Sequence, residues 1–117
     1  MPNYMLLLLD EPKNFANVSP AEMQAIVERY IAWGDQLKKS GKLVSSDKLT
    51  DDGGKRLTKQ GGKLVVVDGP YAEAREVVGG YFVVRASGYE EAVAMCRDCP
   101  HLDFGIVDVR EVESHGG

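Results

Sequence analysis

Three short runs in this chain are apolar at consecutive positions instead of alternate ones: Tyr4 to Leu9, Leu64 to Val67, and Tyr81 to Val84. A strand turns successive side chains to opposite faces, so Leu64 and Val66 oppose Val65 and Val67, and Tyr81 and Val83 oppose Phe82 and Val84. An antiparallel sheet with one face in water alternates apolar and polar residues, and these runs do not. Both faces of the sheet therefore need cover. Only two segments read as helices, enough for one face. The simplest cover for the other is a second copy of the same sheet across a two-fold axis. A lone chain would instead leave an apolar patch exposed, or fold a long loop over it.

The punctuation along the chain gives the element order. Tyr4 to Leu9 is a strand ended by Asp10-Glu11-Pro12, and Lys13 to Val18 reads as a loop. Ser19-Pro20-Ala21-Glu22 carries an N-cap, a proline at the first helical position and a capping-box glutamate. Met23, Ile26, Val27, Tyr30, Gly34 and Leu37 then follow helical spacing, Lys38 and Lys39 suit the last turn, and Gly41 suits the C′ position. Leu43 to Leu49 reads as a strand and Asp51 to Gly54 as a turn. Arg56 to Thr58 and Lys63 to Val67 flank Gln60-Gly61-Gly62 as a β-hairpin. Asp68-Gly69-Pro70-Tyr71 ends that strand, and Ala72 to Val78 connects to a strand over Gly79 to Arg85. Ser87 with Glu90 reads as a second capping box. The helix it starts stops at Pro100, and Ile106 to Arg110 is the last strand. This order predicts an α+β ferredoxin-like sandwich: a mostly antiparallel sheet, two helices on one face and an extra β-hairpin. Residues 1–113 form one domain and 114–117 a frayed tail.

Charge narrows the function. Fourteen Lys and Arg against 18 Asp and Glu leave a net charge of −4, which disfavours binding to nucleic acid. The longest apolar run, Met5 to Leu9, is too short to span a bilayer and lacks a basic leader. The expectation is a cytoplasmic protein that neither binds nucleic acid nor sits in a membrane.

Four groups of residues bear on chemistry. Asp68 and Tyr71 stand at a strand-end turn with Gly69 and Pro70, and a carboxylate there can meet a substrate proton. Asp, Gly and Pro are equally what a turn requires. His101 follows the Cys99-Pro100 helix stop, and its imidazole suits acid–base work near neutral pH; the alternative is a histidine packed or solvated at a helix end. Asp68 and His101 are the acid–base candidates. Tyr30 and Trp33, three apart on the first helix, line a cavity or belong to the core. Cys96-Arg97-Asp98-Cys99 has redox spacing but lies at the C-terminal pole of its helix, where no dipole stabilises a thiolate. Two reduced structural thiols are expected, and no metal site or organic cofactor.

The string Asp68-Gly69-Pro70-Tyr71-Ala72-Glu73-Ala74-Arg75-Glu76, with Gly79-Gly80-Tyr81-Phe82, Glu91-Ala92, Cys99-Pro100-His101 and Asp108-Val109-Arg110, resembles the signature of DGPF-domain proteins of the YCII-related family. Tyr71 replaces the usual Phe, Arg75 a usual Lys, and Glu111 a frequent Pro. The resemblance implies a dimeric α+β barrel, in which ferredoxin-like subunits pack sheet to sheet as homodimers. It also implies a small-molecule cavity near the sheet. Broader relatives carry a His and an Asp proposed as an acid–base pair. Here those positions fall near Tyr30 and near Cys99, and neither residue type is kept. Some relatives are joined to, or encoded beside, alternative sigma factors, which implies an accessory role as the alternative to chemistry on a small organic molecule.

Overall fold

The computed structural model describes residues 1–11, 18–69 and 76–114. Its elements are β1 (Asn3–Asp10), α1 (Pro20–Lys39), β2 (Leu43–Lys48), β3 (Lys55–Gln60), β4 (Lys63–Asp68), β5 (Val77–Arg85), α2 (Tyr89–Met95) and β6 (Ile106–Val112). Two short 3-10 turns, Cys96–Asp98 and Pro100–Asp103, join α2 to β6. Four strands form an antiparallel sheet in the order β2-β5-β1-β6, and β3 and β4 form a separate two-stranded sheet. With the β3–β4 ribbon set aside, this is the ferredoxin-like topology expected from the element order.

The helices start where capping chemistry starts them, with one correction. Ser19 accepts a hydrogen bond from the Glu22 amide at 3.1 Å, and Pro20 opens α1. At α2 the expected Ser87–Glu90 box is displaced by one residue. Gly88 is the N-cap, and the Ser87 amide and hydroxyl approach the Glu91 carboxylate at 3.3 and 3.4 Å. The fully extended backbone of Gly88 takes up the residue in between. The last strand runs two residues beyond Arg110, and β5 starts at Val77 instead of Gly79. The hairpin turn is Gly61-Gly62, both with positive φ (56° and 77°), as a two-residue primed turn requires.

Even-numbered residues of β1 face the helices. Tyr4, Leu6 and Leu8 are buried with Phe82 and Val84 of β5, Trp33 and Leu37 of α1, Ala92 of α2, and both cysteines. Trp33 meets Phe82 edge to face at 4.8 Å, and a Cβ on Gly34 would lie 3.3 Å from that ring, so the glycine lets α1 approach closely. Val27 and Ile31, by contrast, are exposed. Met5, Leu7 and Leu9 turn to the other face, level with Val83 and Tyr81 of β5 and with Arg110 and Asp108 of β6. That face has an apolar centre and polar flanks, with the Tyr81 hydroxyl donating to Asp47 at 2.7 Å. No helix among the described residues is long and apolar enough to cross a membrane.

Candidate functional site

The site grows from one irregularity in the sheet. The β1–β5 register shifts between Leu8 and Leu9: Leu8 faces Gly80, Leu9 faces Val78, and Gly79 is the extra residue. Bulges of this kind bend a strand and re-aim the side chains beside them. Beside this bulge stands Asp10, last of the even-numbered, helix-facing series of β1. A Cβ on Gly79 would fall within 2.2 Å of Asp10 Oδ2. The carboxylate occupies the space that a side chain there would take.

The 3-10 turn Pro100–Asp103 brings His101 over the same strand end. His101 is 2% exposed. Its Nε2 lies 2.9 Å from the Leu9 carbonyl, which can only accept, so Nε2 carries a hydrogen. Its Nδ1 lies 2.8 Å from the Tyr30 hydroxyl, and in the Nε2–H tautomer it accepts the phenol's hydrogen bond. Asp10 Oδ1 stands 3.3 Å from Nε2. Because the Nε2 hydrogen points at Leu9, this buried oxygen has no hydrogen-bond partner. A second glycine makes the approach possible, since a Cβ on Gly105 would meet the Leu9 carbonyl at 2.3 Å and His101 Nε2 at 2.8 Å. Arg29 fastens α1 to the turn through Asp103, with its guanidinium over the Phe104 ring. Both charged groups are largely solvated, so the ion pair adds little stability.

The electrostatics follow from burial. Desolvation pushes the Asp10 carboxyl above its ordinary value, and the neighbouring His101 pulls it partly back. Desolvation, followed by the Asp10 charge, pushes the Tyr30 phenol far up. Tyr30 therefore stays a proton donor across the neutral range. The arrangement holds two exchangeable protons, on the phenol and on Nε2, beside a carboxyl whose hold on a proton is strengthened by burial. An open depression of about 300 Å³ abuts the cluster through Leu9 and Gly105 and is lined also by Glu11, Glu76, Phe104 and Ile106. A larger one, about 420 Å³, lies at the opposite end of β1 by Lys42 and Arg85, and neither depression is lined by Asp10, Tyr30 or His101.

The residues singled out from sequence separate. His101 and Tyr30 come together. Asp68 does not join them: it ends β4 on the ribbon, where its carboxylate pairs with Lys55 in solvent. The carboxylate beside His101 is Asp10 in its place. Gly69 closes the base of the ribbon, with its amide donating to the Gly54 carbonyl at 2.9 Å, and a Cβ there would strike Gly53. Trp33, 5% exposed, is core. Pro70 and Tyr71 lie outside the described residues, as do most of the expected loop 13–18 and all but Ser114 of the expected tail. Cys96 and Cys99 are free and buried. Burial and the neighbouring thiol raise Cys96 to about 11, and burial also raises Cys99, which opposes thiolate chemistry. No group of three or more His, Cys, Asp or Glu among the described residues is placed to hold a metal ion.

The YCII-related domain matches residues 3–115, nearly the whole chain. The chain belongs to the YCII-related family. No curated protein matches it. Asp10, Gly79 and Gly105 were missed from sequence. Asp10 carried a readable signal, because it continues the core-facing alternation Tyr4, Leu6, Leu8 as a polar residue. Gly79 carried another, as a glycine inside an apolar strand, which marks a bulge or a close approach.

Proposed function

We propose that this YCII-related protein acts as a homodimer that binds a small organic molecule at the Asp10–His101–Tyr30 cluster and moves a proton on it without a metal or organic cofactor. The observation that carries the reading is the buried imidazole held between a phenol and a carboxyl oxygen that lacks a donor. Structural histidines bury equally well, but a carboxyl oxygen left unsatisfied costs stability unless something else uses it. Because His101 is buried, Tyr30 is the group that meets the ligand: the phenol takes a substrate proton as it gives its own to His101 Nδ1, and Nε2 gives its hydrogen to the Asp10 carboxylate oxygen 3.3 Å away. The half-buried Met5, Leu7, Leu9 and Tyr81 on the second sheet face, over which no helix of the described residues packs, support the dimer reading. Asp68, from its solvated place beside Lys55, enters this chemistry only through a partner protomer.

The experiment is a thermal-shift screen of small hydroxy and oxo compounds against the wild-type protein, Tyr30→Phe and Asp10→Asn. A compound that raises the wild-type melting temperature and loses its effect in both variants supports the reading. Equal shifts in all three proteins, or none in any, would sink it. The competing reading is a non-catalytic accessory module of the kind found beside alternative sigma factors. The exposed β3–β4 ribbon favours it, since it offers contact surface remote in sequence from the cluster.

A further inference from the structure

The β3–β4 ribbon is the least explained part of the molecule. Among the described residues its two strands form a sheet of their own. Pairing of Leu57 with Val66 and of Lys59 with Leu64 places Leu57, Leu64 and Val66 on one face. They are 57%, 61% and 53% exposed. An isolated two-stranded hairpin is marginal in water and needs something to pack on.

Charge says what packs there. The ribbon carries Lys55, Arg56, Lys59 and Lys63 against Asp68 alone, in a chain of net charge −4. The rest of the surface is therefore strongly acidic, and a basic arm is attracted to the body of another copy.

We infer that the β3–β4 ribbon is an arm that lays its Leu57–Leu64–Val66 face on a second copy of this chain, with its basic rim against the partner's acidic body. This rests on the dimer proposed above and adds a second contact to the sheet face. The arm is part of what holds the copies together.

The test is sedimentation across a concentration series for the wild type, for the triple variant Leu57→Thr, Leu64→Thr, Val66→Thr, and for Met5→Lys on the sheet face. Threonine keeps strand propensity, so the ribbon itself is retained, and circular dichroism checks the fold of each variant. The expected result is a dimer dissociation constant raised by at least about tenfold in the triple variant, and wild-type dimerisation that weakens with added salt. A photo-crosslinker at position 64 is expected to give a chain-to-chain adduct. If Met5→Lys splits the dimer while the triple variant stays within about twofold of wild type and position 64 gives no adduct, the arm is overturned and the sheet-face dimer stands. A wild type that sediments as a monomer throughout overturns both.

Discussion

Asp10 and Asp68 occupy almost the same local sequence. Each is the last residue of a strand rich in Leu or Val, and each is followed two residues later by proline. Their fates are opposite. Asp10 is drawn under α1 beside a buried imidazole, with one oxygen left without a donor. Asp68 stands in solvent against Lys55. Local sequence makes both turn residues, and tertiary position makes only one of them chemically unusual. The strand that ends in Asp10 is central, with neighbours on both sides, and its own alternation turns the carboxylate toward the helix-covered face. The strand that ends in Asp68 pairs with one neighbour among the described residues and is exposed along most of its length.

The largest expected contrast comes from removing the imidazole. His101→Ala leaves the Tyr30 hydroxyl and the Leu9 carbonyl unpaired and opens a cavity, and should cost about 2–4 kcal/mol in denaturant unfolding. A loss below about 0.5 kcal/mol would mean that the cluster is not packed as described. Gly105→Ala follows. Its methyl would strike backbone as well as the ring, so a loss of about 1–3 kcal/mol is expected, read as a lowered melting temperature.

The next test uses proton linkage. Burial raises the Asp10 carboxyl in the folded chain, so the folded state holds that proton more tightly than the unfolded state does. That contribution to stability is complete below the unfolded value and is lost as pH rises through the raised folded value. Asp10→Asn cannot ionise. Denaturant midpoints should therefore fall less for the variant than for the wild type as pH rises above roughly 4. Parallel curves would remove the buried charge from the account. The smallest effect belongs to the other aspartate, since Asp68→Asn should change stability by less than about 0.5 kcal/mol and leave any ligand-induced thermal shift intact.

Much of the fold was legible because its signals are local. Ser19-Pro20-Ala21-Glu22 needs only its own backbone to start α1, and Gly61-Gly62 needs only its own φ angles to turn the hairpin. The consecutive apolar residues of Tyr4 to Leu9 show that the strand has two faces, and the exposure of β1 agrees, with Tyr4, Leu6 and Leu8 buried and the odd positions only partly so. The site was half legible. His101 stood out as the one histidine before the tail. Its partners did not, because Asp10 and Leu9 are 91 and 92 positions away and meet it only through the sheet order and a register shift. Asp68 was the more conspicuous carboxylate in sequence because Asp-Gly-Pro is a strong turn signal, and a turn is what it makes.

The strand order has a bearing on synthesis. β1 is hydrogen-bonded on one side to β5 and on the other to β6, so Asn3 pairs with both Arg85 and Val112. Nothing made in between can shield it as a sheet neighbour. At about 5–20 residues per second, the Met5 to Leu9 run leaves the ribosome several seconds before its first partner strand exists. Its greasy side chains spend that interval unpaired, which makes this opening segment the natural place for a chaperone to hold the nascent polypeptide.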